Sequence, residues 1–185
     1  STNSGGIKPL RRRGRLAVLL LIAGLSAGCD QATKKMAAAH LKPAPPQAFL
    51  GDTFRLHYAE NPGAFLSAGA GLPEEARWWL MVGGIGLVLL GILAFTSLHA
   101  GLRPLTVAGL GFILGGGAGN WLDRLLLGNV VIDFMNVGVG PLRSGIFNFA
   151  DLYIEVGLVL LALSYLRREQ PGKFHGPATN ADSRG

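Results

Sequence analysis

Apolar residues along this chain come in long unbroken runs, not in the alternation of a half-buried strand. Residues 16–28 carry no charge, but thirteen residues are too few to cross a bilayer, which takes about 20. That first helix must therefore extend past Asp30. Residues 78–98 are uncharged and open on Trp78 and Trp79, placed like an interfacial belt. Residues 104–122 are uncharged and glycine-rich. Gly111, Gly115 and Gly119 recur at a small-xxx-small spacing that lets a second helix approach closely. Residues 146–166 are apolar except for Asp151 and Glu155. The pattern predicts an all-α membrane protein, one domain over 1–185, with four transmembrane helices at about 14–38, 75–98, 103–124 and 146–168.

Between the first two helices the pattern changes. Pro43, Pro45 and Pro46 break helix, and residues 53–58 read T-F-R-L-H-Y, an alternation suited to a strand. A small extracytoplasmic β-sheet is expected within the first outer loop, 40–73. The second outer loop, 125–145, mixes apolar residues with glycine and is expected to lie at the interface. Residues 169–185 read as a solvated tail and residues 1–7 as a possible tag remnant.

Composition agrees with a membrane. Only 15% of residues are charged and mean hydropathy is +0.37, against roughly 25% charged in soluble domains. One cysteine excludes a disulfide scaffold, and no Cys/His zinc spacing is present. The net charge of +6 does not indicate nucleic-acid binding. Lys8, Arg11, Arg12, Arg13 and Arg15 precede the first apolar run, and Arg167, Arg168 and Lys173 follow the last. Basic residues flanking apolar spans follow the positive-inside rule and predict both termini in the cytoplasm. Lys34, Lys35, Lys42 and Arg55 run against the rule, in a longer loop. Cys29 follows Ser26-Ala27-Gly28, a weak lipobox. Cleavage there would remove the first helix, so an inert core residue is expected.

Five of the acidic residues sit in or beside apolar segments: Asp30, Asp123, Asp133, Asp151 and Glu155. A charge at the bilayer centre costs roughly 3 kcal/mol on insertion scales, which marks such residues as functional candidates. The expected topology brings Asp30, Asp123, Asp133 and Asp151 to one face of the membrane. Asp30 has Lys34 four residues on, and Asp123 has Arg124 next to it, so both read as structural ion pairs. Glu155, one turn below Asp151, reads as a hydrogen-bonding group within the bundle. Asp133 and Asp151 have no basic residue within four positions. Two such carboxylates at one depth share a proton: the charged one can take a proton from water while the neutral one donates to a carbonyl. The same acids also suit a proton or cation pathway, or a structural role. Asn61, Asn120 and Asn148 accompany them, and could hold a peptide backbone or bond between helices.

Taken in order, these residues resemble the lipoprotein signal peptidase (signal peptidase II) family of membrane aspartic peptidases. The resemblance rests on five blocks: D-Q-A-T-K at 30–34, N-P-G-A at 61–64, G-G-A-G-N-W-L-D-R at 116–124, V-I-D-F at 131–134 and F-N-F-A-D at 147–151. It implies an enzyme of the bacterial inner membrane, with its site near the outer face. That enzyme would remove the signal peptide from prolipoproteins, just before a diacylglyceryl-modified Cys. The catalytic pair would be Asp133 and Asp151. Asn61, Gly63, Asn120, Arg124 and Asn148 would bind substrate, and Asp30, Lys34 and Asp123 would support the site. No metal or organic cofactor is implied. The implied partners are prolipoproteins and membrane lipid, and a monomer is expected. The outer sheet would cradle substrate and the second outer loop would form a mobile lid. Two departures stand out. Asp123 to Asp133 is one residue longer than the family pattern, which requires a bulge or turn after Gly128. Phe65 directly follows Ala64, where the family often has another small residue.

Overall fold

The computed structural model describes residues 11–63 and 71–167. The expected N-terminal remnant, the solvated tail and Phe65 lie outside those residues.

Four helices are long and apolar enough to cross a membrane. They are α1 (Arg12–His40), α2 (Glu74–Leu98), α3 (Pro104–Leu126) and α4 (Phe149–Leu166). At about 1.5 Å per residue, the 18 residues of α4 span about 27 Å, near the thickness of a hydrocarbon core. Leu20, Leu21, Leu87, Val88, Leu90, Leu158 and Val159 all point outward. Large apolar side chains on the outside of helices belong against lipid, where their exposure carries no hydrophobic penalty.

Helix α3 is the hub: it packs along both α1 and α4 and touches α2. Its glycines make this possible, on two faces. A Cβ on Gly111 would press on Ile22, and one on Gly115 would strike the Ala23 backbone and Ser26 of α1. A Cβ on Gly116 would strike the Ala150 carbonyl of α4. Helix α2 runs through a π-helical stretch at Trp79–Gly84, where the carbonyl of Val82 accepts the indole N–H of Trp121 at 2.8 Å. Wide turns of this kind release backbone carbonyls. Helix α2 packs on α3 and α1 but forms no extended contact with α4, and Val156, Leu158, Val159 and Leu163 of α4 are exposed among the described residues.

The sheet differs from its expectation. It has four antiparallel strands in the order β1 (Gln47–Phe49), β2 (Phe54–Asn61), β3 (Val131–Val139) and β4 (Leu142–Arg143). The first loop supplies only two of them. The second loop, expected at the interface, supplies the other two, and β3 is an inner strand buried continuously from Val131 to Asn136. A strand buried on both faces shows no alternation, which is why 131–136 did not read as one. β2 runs past residue 58 to Asn61 and pairs Asn61 with Val131 and Ala59 with Asp133. The register shifts between Leu56 and Ala59, a bulge opposite Phe134. The sheet packs on the end of α1 through Ala37, Ile132, Phe134 and Met135.

The fourth helix starts three residues later than predicted. Phe147 forms a bridge with Met135 and so belongs to the sheet edge. Asn148 is the N-cap of α4: its side chain accepts from the Asp151 backbone N–H, and the Asp151 side chain accepts from the Asn148 N–H. This capping box sets the helix start.

Candidate active site

The acids meet at the end of the bundle where the sheet packs. Lys34 lies at the centre, almost fully buried. Its Nζ contacts Asp30 Oδ2 at 2.8 Å and Asp123 Oδ2 at 2.9 Å, and donates to Asn120 Oδ1 at 2.7 Å. Two carboxylates and an amide thus surround one ammonium, which lets its charge stay inside a low-dielectric bundle. The remaining carboxylate oxygens tie elements together. Asp30 Oδ1 accepts from the Ala150 N–H of α4. Asp123 accepts from Gln31 Nε2 on one oxygen and from the Ile132 N–H on the other. The expected pairing of Asp123 with Arg124 is replaced by the pair with Lys34. Adjacent residues on a helix point about 100° apart, so Asp123 and Arg124 cannot share a direction. Arg124 instead donates to the carbonyls of Gly63 at 2.7 Å and Asn120 at 2.9 Å.

Beside this triad sit Asp133 on β3 and Asp151 in the first turn of α4. Neither makes a salt bridge among the described residues. Amides hold both. Asn61 Nδ2 donates to Asp133 Oδ2 at 3.0 Å and Asn148 Nδ2 to Asp133 Oδ1 at 2.6 Å. Asn120 Nδ2 donates to Asp151 Oδ1 at 2.9 Å, and the Asn148 N–H to Asp151 Oδ2 at 3.1 Å. Asn148 therefore bridges the two carboxyl groups and also touches Asn120 Oδ1 at 3.1 Å. Burial pushes the Asp133 carboxyl up to about 6, and the Asp151 charge adds to the rise. The Asn61 and Asn148 hydrogen bonds act against it.

Every residue singled out for the site is brought to this end of the molecule, from positions on or beside α1, α3, α4 and the strands β2 and β3, far apart in sequence. Gly63 enters through its backbone: its N–H donates to Asn61 Oδ1 at 3.0 Å and its carbonyl takes Arg124. The amides expected to bind substrate are here spent on the two acids. Glu155 stays outside the network: it is exposed on α4 and has no hydrogen-bond partner among the described residues, contrary to the expected bond within the bundle. Cys29 is exposed, not a core residue, and α1 runs unbroken through it.

Sequence reasoning missed Gln31, which joins Asp123 to the Gly119 carbonyl, although it stands inside the first block. It also missed Asn129. The turn into β3 places Gly128 at φ +75° and Asn129 at φ +68°, two left-handed residues in succession where a turn was expected. Asn129 is buried, and neither amide atom has a partner among the described residues. The pair Gly-Asn was the available signal, since both residues tolerate this conformation.

The family profile described as Signal peptidase (SPase) II matches residues 22–167. Among curated proteins, the lipoprotein signal peptidase of Rhodococcus jostii is 32% identical over 169 residues, 89% of this chain and 79% of that protein. The lipoprotein signal peptidase of Oleidesulfovibrio alaskensis is 32% identical over 85% of this chain and 99% of its own length. That of Moorella thermoacetica is 35% identical over 80% and 91%. A solved bacterial membrane enzyme, determined by the in meso method at 2.3 Å, superposes with a TM-score of 0.72 at 21% identity, covering 85% of this chain and 95% of its own. The last likeness is one of fold.

Proposed function

The chain belongs to the signal peptidase II family, and on that premise we propose that it removes the signal peptide from prolipoproteins. It cuts just before the diacylglyceryl-modified Cys, with Asp133 and Asp151 as the catalytic pair. The observation that carries this reading is the bridge through Asn148. One side chain and its own backbone N–H hold two carboxylates from different elements, neither ion-paired among the described residues. A buried pair held by amides can keep one shared proton, whereas a cation at hydrogen-bond distance would leave both charged.

The ionised member takes a proton from a water molecule as that water attacks the scissile carbonyl. The neutral member donates to the carbonyl oxygen, and the tetrahedral species then collapses with proton transfer to the leaving amine. Asn61, Asn120 and Asn148 fix the carboxyl planes, and Arg124 fixes the end of β2 through Gly63. Substrate backbone then meets Gly63 and the flanking strand. Asp30, Lys34 and Asp123 hold α1, α3 and α4 in register beneath.

The substrate is a lipid-modified segment that stays in the membrane. The exposed apolar side chains of α4 support lateral arrival from lipid, and the position of Asp151 in the first helical turn keeps the pair within reach of interfacial water. We assign both termini to the cytoplasm and the acid pair to the outer face of the bacterial inner membrane, from the distribution of basic residues. The protein acts as a monomer without metal or organic cofactor.

The test is a gel-shift assay with a diacylglyceryl-modified prolipoprotein. Wild type converts it, while Asp133→Asn and Asp151→Asn, still folded in detergent, lose nearly all turnover. If Asp151→Asn retained most activity, the pair would be misassigned. If the folded wild type failed to cleave, the chain would be a binding homologue.

A further inference from the structure

The far end of the bundle carries a second polar site, unrelated to the acids. A cavity of about 510 Å³ opens between the end of α2, the start of α3 and the end of α4. Phe95, His99, Arg103, Thr106, Ser164 and Tyr165 line it. Cavities of this size hold small organic ligands or head groups.

Its donors converge. Among the described residues Arg103 makes one bond, NH1 to the Ser164 carbonyl at 3.1 Å, and the rest of its guanidinium fork has no partner there. Thr106 Oγ1 and Ser164 Oγ are 2.7 Å apart. Two hydroxyls in one hydrogen bond leave one hydroxyl proton unspent. The 23-residue helix α3 starts here without a side-chain cap, so the N–H groups of Leu105 and Thr106 have no acceptor within the helix and the positive end of its dipole faces the cavity. The His99 ring stacks on Phe95, with ring centres 4.2 Å apart, at the rim.

Among the described residues the charge around it is basic. Arg11, Arg12, Arg13 and Arg15 begin α1 at this end and Arg167 ends α4. Arg12 reaches Ser97 on the last turn of α2 at 2.7 Å. Among the described residues, the nearest carboxylate along α4 is Glu155, nine positions before Ser164, about 14 Å along the axis. Apolar side chains share the lining, Phe95, Leu102 and Leu161 among them, and Leu98 and Leu166, next in sequence to lining residues, are exposed on the helix surfaces.

We propose that this cavity binds the phosphate of an anionic membrane phospholipid. Arg103 and the start of α3 take the phosphate oxygens, and the acyl chains leave along the apolar flank. A cationic donor set whose mouth lies among lipid-facing side chains meets a head group before it meets a soluble anion. The site does not depend on the peptidase assignment.

The experiment uses the purified full chain in nonionic detergent. Lipid binding is counted by native mass spectrometry, and the unfolding temperature is followed as phosphatidylglycerol or phosphatidylcholine is titrated. The expected result is saturable binding of phosphatidylglycerol with a raised unfolding temperature, and little effect of phosphatidylcholine. Arg103→Gln weakens phosphatidylglycerol by about fivefold or more, the scale of one basic residue at a membrane surface. Arg13→Gln, which removes the same charge from an exposed position outside the cavity, changes it less than twofold. His99→Gln, at the rim, also weakens it and serves if Arg103→Gln does not fold. Equal weakening by Arg13→Gln and the cavity variants would mean diffuse attraction and overturn the site. Equal stabilisation by phosphatidylcholine would do the same. Displacement of the lipid by inorganic phosphate at matching concentration would assign the cavity to a free anion and overturn the lipid.

Discussion

Asn148 combines three tasks at one position: it caps α4, donates to Asp133, and holds Asp151 through its own N–H. The hydrogen bonds it and Asn61 give Asp133 favour the charged carboxylate, while burial and the Asp151 charge favour the neutral acid. Burial wins, so Asp133 keeps its proton to about pH 6. The pair loses that proton as pH rises, and kcat/KM should fall along an alkaline limb. Asn61→Ala removes a bond that stabilises the charge, so the limb should move to higher pH. A shift the other way would refute the assignment; a pH profile on a diacylglyceryl-prolipopeptide decides it. At Lys34 the issue is stability. Lys34→Met leaves Asp30 and Asp123 buried without a counter-ion, a loss of about 3–5 kcal/mol. Thermal unfolding in detergent should show it as a large drop, restored in part by Asp123→Asn in the same chain.

At the scale of elements, β3 and the turn before it carry the surprise. The strand lies between β2 and β4 and brings Asp133 opposite Ala59, beside Asn61. In that turn Gly128 and Asn129 both adopt positive φ. Asn129→Gly keeps that backbone conformation and removes a buried amide that has no partner among the described residues. An unsatisfied buried amide costs about 1–3 kcal/mol, partly offset by the entropy of glycine. The variant should be at least as stable as wild type, by about 1 kcal/mol, in a thermal melt. A clear loss would mean that the amide is satisfied in the membrane-bound protein. The glycines of α3 show the opposite logic, since no side chain fits between α3 and α1 at Gly115.

Over the whole molecule, the buried acids gather at one end of the bundle, while Arg11, Arg12, Arg13, Arg15, Arg103 and Arg167 gather at the other, about 27 Å away along α4. That separation is what orients a chain in a membrane. Reporter fusions should place residue 11 and the end of α4 on one side of the membrane and the β1–β2 hairpin on the other. A hairpin on the same side as α1's start would invert the assigned topology. The four spans, their approximate ends and the five blocks could be read directly, because hydropathy and small-residue spacing are local properties of the chain. So could the identity of the acids, because charge in an apolar run is anomalous without any structure. Pairing was not legible. Asp123 chose Lys34 over its neighbour Arg124, and 131–143 became strands, because partners more than 80 residues apart and burial on both faces leave no periodic trace. The sequence by itself determined a four-helix membrane protein with carboxylates gathered at one end. Only the tertiary structure decided which carboxylates are neutralised by Lys34 and which are left to the amides, since that choice depends on where the packed helices and the inner strand place each oxygen.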